Sequence, residues 1–240
     1  MAVSVTTRVD EVKQPREGYV PLRSFEVETL EDGITLAPKE NLAPGVIGTV
    51  VDNLTKLLVK PVYWASGDPQ PATTPQEAFS IALAGARMLP SKHFKVVSAL
   101  VDEIHGLDDR SIGNACMLST YDAFYRAGIN ALVEPERLIP DECTTQNVRV
   151  MVNRCLSFFE KNGPVTYVSP TFAGGYTPTV PGGDGDLVTN DTIWDLKVMK
   201  GKPKTKHTLQ LYMYYLMGKR SNQTSFSLLR TWGFTTLAST

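Results

Sequence analysis

Two aspartates and a lysine in the stretch GDGDLVTNDTIWDLKVMKG, Gly183 to Gly201, interrupt two runs of β-type composition. If DLVT and TIWDLKV form a hairpin with Asn190 and Asp191 as its loop, both tolerant of left-handed backbone, Thr189 faces Thr192 and Asp186 lies opposite Asp195. The Cβ atoms of such a pair are about 4.5–5.5 Å apart. Side chains alternate along a strand, so Lys197 shares the face of Asp195, while Trp194, Leu196 and Val198 turn toward a core. Facing like charges destabilise a hairpin unless something neutralises them, and a hard divalent cation bound through oxygens does so. A hairpin slipped by one residue, or a solvated one in which Lys197 pairs with either acid, needs no metal. A calcium loop starting at Asp184 fails, because the position that needs glycine holds Thr189 and the one that favours glutamate holds Asp195.

Downstream, TLQLYMYYLMG has helical periodicity. Leu209, Tyr212, Met213 and Leu216 form its apolar stripe, and Gln210 and Tyr214 sit one turn apart on the stripe's edge. A solvated glutamine and a half-buried tyrosine fit the same pattern. Between strand and helix, KVMKGKPKTKH carries Lys200, Lys202, Lys204 and Lys206 in a loop marked by Gly201 and Pro203. Beside a phosphodiester-binding site they are phosphate contacts; elsewhere they are a solvated charge run. His93, His105 and His207 have no metal-binding spacing and read as solvated or hydrogen-bonded, and Asp184 reads as a turn former.

Together these residues resemble the PD-(D/E)xK nuclease superfamily, in the branch of RecB-type nuclease domains and lambda-type exonucleases. The motifs that carry the likeness are GxxD at Gly183 to Asp186, DxK at Asp195 to Lys197 and QxxxY at Gln210 to Tyr214, in that order. The likeness is firm over about 180 to 218. It implies an α/β fold, a central mixed β-sheet flanked by helices around a restriction-endonuclease-like core. It also implies a Mg²⁺ (or Mn²⁺) site formed by Asp186, Asp195 and the carbonyl of Leu196, and a Mg²⁺-dependent deoxyribonuclease with DNA as partner. Lys197 would orient or deprotonate the attacking water, with Gln210 and Tyr214 positioning substrate or Lys197. The family's GxxxH motif finds only Gly48 to Asp52, with aspartate for histidine. Asp52 is then either a further metal ligand or a surface acid, since it lies off its helix's apolar stripe. The implied role is DNA hydrolysis, as an exonuclease in repair, recombination or phage replication. A catalytically silent nucleic-acid-binding or protein-interaction module of the same fold is the alternative, and RNA cleavage stays open.

The elements that would position this site are less marked. Residues 1 to about 18 read as a loose arm; SFEVETL and ITLAP read as two strands turning at Asp32-Gly33. Apolar spacing from Val46 to Leu58, with Pro44 in the first turn, predicts a helix. A Pro/Gly/Thr-rich loop at WASGDPQPATTP leads to helices expected at 75–89, 92–105, 110–127 and 145–162, with Gly106, Gly128 and Gly163 as stops. This helical stretch, about 73–160, reads as an insertion within one nuclease-like domain spanning 1–240. VTYVS follows as a strand, the last helix ends at Gly218, and SFSLLRTW reads as a final strand.

A hydrophobic content of 42% over 240 residues supports a sizeable core, and a formal charge of −1 gives no global attraction to polyanions, so DNA contact must be local. Three scattered cysteines suit reduced thiols and cannot hold a four-cysteine iron-sulfur cluster. No run resembles a signal peptide or approaches the ~18 apolar residues of a membrane span, so a cytoplasmic protein without membrane association is expected.

Overall fold

A computed structural model describes residues 4–26, 32–60, 73–199 and 201–237. The chain divides into two compact units: residues 4–26, 158–199 and 201–237 with Lys60 form one, and residues 32–59 and 73–157 the other.

The first unit is α/β. Its sheet has the strand order β1 (Tyr167–Val168), β2 (Leu187–Val188), β3 (Thr192–Lys197), β4 (Thr231–Thr236). The first two pairings are antiparallel and β3 pairs with β4 in parallel, so the sheet is mixed. A tight turn suffices between β2 and β3, whereas the parallel pair needs a crossover, and helix α8 (Thr205–Arg220) is carried by that connection. On the face that bears Val188 and Ile193, the sheet packs with Phe172, Leu211, Tyr214 and Met217 in one buried cluster. On the other, Trp194 meets Phe158 and Phe159 edge-on at 4.9 and 6.3 Å, so Trp194 does point into a core. Helix α7 (Glu142–Asn162) supplies those two rings.

Several expected boundaries are corrected here. The N-terminal segment is not a loose arm: Ser4 caps helix α1 (Val5–Glu11) by accepting the Thr7 N–H at 3.2 Å, and Val5 and Val9, one turn apart, are buried in the same cluster. Two apolar residues in seven make too short a periodic signal to stand out. Helix α8 does not stop at Gly218 but runs on to Arg220, and its buried positions are Thr208, Leu209, Leu211, Tyr214, Met217 and Gly218, with Leu216 41% exposed. Gly218 is a packing residue, since a Cβ there would lie 2.8 Å from Leu229 Cδ2 and 3.1 Å from Phe226 Cδ1. Tyr212 and Tyr215 instead cover Trp232 of β4, at ring distances of 5.3 and 4.5 Å. The final strand begins at Thr231, later than SFSLLRTW suggests, after a 3-10 turn at Thr224–Phe226.

The second unit is helical: α2 (Pro44–Leu58), α3 (Pro75–Ala78), α4 (Ser80–Arg87), α5 (Ser91–Asp102), α6 (Asp109–Ala127) and α7 up to residue 157. It therefore holds the helical middle third together with α2. Pro44 starts α2 as expected, and Gly128 and Gly163 take positive φ, 83° and 103°, after α6 and α7. Phe79, buried, splits the 75–89 helix in two. No strand forms in the described part of the SFEVETL–ITLAP segment, and residues 27–31 lie outside the described residues. Asp32 accepts the Ile34 N–H at 2.9 Å and is gripped by Arg154 through two bonds of 2.7 and 2.9 Å. Most of the Pro/Gly/Thr-rich loop, through residue 72, also lies outside the described residues. All three cysteines are free thiols, and burial raises the Cys116 thiol to about 12. Among the described residues no helix is long and apolar enough to cross a membrane.

Candidate active site

Strands β2 and β3 pair Leu187 with Trp194 and Val188 with Ile193. The ladder ends at Leu187 and Trp194; one residue further the same register would set Asp186 against Asp195, as the sequence predicts, but there the Leu196 N–H goes to the Asp186 side chain, while the turn closes with the Thr189 N–H on the Thr192 carbonyl at 2.9 Å. The register holds because each residue pair has its own anchor: Val188 and Ile193 are buried in the α8 cluster, and the Trp194 Nε1–H donates to Thr189 Oγ1 at 3.0 Å.

The two acids are held differently. Asp186 Oδ2 accepts the backbone N–H of Leu196 at 2.7 Å, which folds its carboxylate over β3. Asp195 is only 2% exposed, and its Oδ2 lies 2.8 Å from Lys197 Nζ. A carboxylate removed from water to that degree requires a compensating charge, and strand alternation puts Lys197 on the same face two residues on.

Helix α8 extends the array. Lys197 Nζ donates to Gln210 Oε1 at 3.3 Å, and Gln210 Nε2 donates to the Tyr214 hydroxyl at 3.0 Å, so the amide is oriented by a cation at one end and a phenol at the other. The Tyr214 ring stacks on Phe172 with centroids 5.6 Å apart. Burial first, then the negative charge of Asp195, drive the Tyr214 hydroxyl far above the ordinary tyrosine range, with Asp186 and Asp184 adding to this and the Gln210 bond opposing it. Tyr214 is therefore a neutral hydroxyl at any working pH. Asp186, Asp195, Lys197, Gln210 and Tyr214, from three elements, converge on one side of the sheet.

Asp184, read as a turn former, instead pairs with Thr171 in an isolated antiparallel bridge. At Gly183 the backbone has φ 153°, and a Cβ would lie 3.0 Å from Val5 Cγ2, so the first residue of the GxxD motif is one where only glycine fits without displacement. Lys202 and Lys204 are exposed ahead of α8, Lys206 pairs with Asp10 at 3.3 Å, and Lys200 lies outside the described residues. Asp52 is on α2 in the second unit, where it pairs with the buried Lys56 at 2.8 Å, one turn along the helix.

One contributor escaped the sequence reading. Helix α1 lies against α8, with Val5 beneath Gly183 and Thr6 Oγ1 3.5 Å from Gln210 Nε2. His207, read as solvated or hydrogen-bonded, is hydrogen-bonded: its Nδ1 accepts the Lys204 N–H at 3.2 Å. Burial, then the charges of Lys197, Lys206 and Lys204, push its imidazole down to about 4, against the opposing pull of Asp10. Its spacing from Gln210 and Tyr214, three and seven residues, was the signal that could have drawn attention to it.

Among the described residues no group of three or more His, Cys, Asp and Glu side chains is arranged to hold a metal ion. The carboxylates of Asp186, held on the Leu196 N–H, and of Asp195 nonetheless offer only oxygen donors, the chemistry that suits Mg²⁺ or Mn²⁺, and a main-chain carbonyl such as that of Leu196 belongs to the same class of donor. The chain matches no protein-family model, no curated protein and no solved structure.

Proposed function

We propose that this protein is a Mg²⁺-dependent nuclease that hydrolyses DNA phosphodiester bonds in the manner of the PD-(D/E)xK superfamily, working from DNA ends. The observation that carries the proposal is the array in which Asp186 accepts the Leu196 N–H of β3 and the buried Asp195 pairs with Lys197, with Gln210 and Tyr214 linked in series beyond it. The mixed four-stranded sheet is compatible with a restriction-endonuclease-like core.

In this proposal Asp186, Asp195 and the Leu196 carbonyl hold the cation, which when bound offsets phosphate charge and acidifies water. The chain's own groups do the rest. Lys197, tied to Asp195 and Gln210, directs its remaining proton toward the attacking water and the developing negative charge. Gln210 fixes the direction of that ammonium, and neutral Tyr214, clamped on Phe172, fixes Gln210. Lys202, Lys204 and Lys206, with Lys200, contact the phosphate backbone, so binding weakens as salt rises.

The test is incubation of linear and circular DNA with Mg²⁺, Mn²⁺ or EDTA. Cleavage should require the cation and be lost in Asp186→Asn and Asp195→Asn, with thermal melts confirming folding. Cleavage that survives EDTA, or that persists in both variants, refutes the proposal. One feature favours a silent binding module instead: Lys197 already compensates Asp195 at 2.8 Å, so the buried charge is balanced without a cation. DNA binding without turnover under every cation condition would select that alternative.

A further inference from the structure

Helix α8 presents His207, Gln210 and Tyr214 at spacings of three and seven residues, which places them along one side of the helix. Gln210 and Tyr214 are already engaged with Lys197. The His207 ring is half-buried on the same side and close enough to Lys197 for that ammonium to be the strongest charge acting on it.

Its protonation pattern is fixed by the main chain. The Lys204 N–H can only donate, so Nδ1 must be the acceptor at 3.2 Å, and the single proton of a neutral imidazole then resides on Nε2. Burial first, then the surrounding lysines, keep the ring neutral at physiological pH. Among the described residues Nε2 has no hydrogen-bond partner. Here is an oriented N–H donor, one turn from the Gln210 that holds the Lys197 ammonium and close in sequence to Lys204 and Lys206.

We infer that His207 is a substrate-binding residue of the candidate site, its Nε2–H donating to a nonbridging oxygen of a nucleic-acid phosphate next to the one engaged by Lys197. The inference rests on the proposed function for its choice of ligand. A neutral donor has a physical advantage at this position: an additional full positive charge would repel Lys197, whereas an N–H dipole binds phosphate without doing so.

The position allows a discriminating test because the cap and the donor can be separated. Glutamate and glutamine are the usual partners at this third helical position, able to accept the N-cap N–H in place of Nδ1. His207→Glu therefore keeps the cap and sets an anion where phosphate is expected; His207→Gln keeps the cap and restores an N–H donor. Leu216→Glu, on an exposed part of the same helix, controls for the added charge at long range.

The readout is binding of a fluorescent DNA oligonucleotide with Ca²⁺ in place of Mg²⁺, with circular dichroism as the folding check. His207→Glu should weaken binding at least about tenfold, His207→Gln by no more than about threefold, and Leu216→Glu by less than either limit of that interval. Equal affinity of His207→Glu and wild type overturns the inference, as does equal weakening by Leu216→Glu, or failure of the wild type to bind the oligonucleotide at all. Wild-type binding without Mg²⁺-dependent cleavage would instead defeat the nuclease proposal, leaving the His207 contact to be judged by its own affinities.

Discussion

Lys197→Met separates the electrostatics of the site from its chemistry. Asp195 is 2% exposed and its charge is compensated by Lys197, whose side chain is 19% exposed. Removing one partner of a buried ion pair costs about 3–5 kcal/mol, and because water reaches Lys197 we expect the lower end, about 3 kcal/mol. Methionine keeps the apolar stem, so packing contributes little to that loss. Against a typical total of about 5–15 kcal/mol the effect is large. It can be followed by urea unfolding monitored through tryptophan fluorescence, since Trp194 and Trp232 both lie in the first unit. Adding Asp195→Asn to Lys197→Met removes the stranded charge and should recover about 2 kcal/mol, since most of the single-variant deficit is desolvation rather than lost attraction. Mg²⁺ should stabilise Lys197→Met more than wild type, because in the variant the cation is the only positive charge offered to Asp195. The reasoning is refuted if Lys197→Met unfolds within about 0.5 kcal/mol of wild type, a change typical of an inconsequential surface site, or if the double variant is no more stable than the single.

Two further outcomes concern the second unit. Hydrogen bonding to Arg154 lowers the Asp32 carboxyl from 3.8 to about 2. A folded-state value below the unfolded one stabilises above pH ~4 and ceases to do so as pH falls through 2. Asp32→Asn should therefore cost about 1 kcal/mol at pH 7, the exposure of this carboxylate having been allowed for, and its deficit should close between pH 4 and pH 2 in acid-unfolding curves. Gly85→Ala would set a Cβ 2.3 Å from the Tyr121 carbonyl oxygen, a backbone atom that no rotamer change can move. It should push α4 off α6 and destabilise the unit by about 2 kcal/mol or more in chemical denaturation.

What could be read in advance follows from the range of the interactions. The hairpin register was legible because it depends on a two-residue turn and on alternation, both local, and the same holds for the start of α2 at Pro44 and the glycines after α6 and α7. The apolar stripe of α8 was misjudged because that helix is covered from several sides: Tyr212 and Tyr215 serve β4, while Tyr214 serves the Phe172 cluster. A periodicity built for one buried face cannot represent that. The partner of Asp32 was not legible either, because Arg154 lies more than a hundred residues away in the chain.

By itself the sequence determined which groups carry charge and in what order, and through the period of two along β2 and β3 it determined that Asp186, Asp195 and Lys197 share one face. Only the tertiary structure decided what that face meets. The crossover through α8 brings Gln210, Tyr214 and His207 to a face already bearing two carboxylates, and α1 seals it from a distant part of the chain. Burial then fixes Asp195 to Lys197 and keeps Tyr214 neutral, because the desolvation behind both effects depends on how much of the chain surrounds a group, a quantity local spacing does not encode.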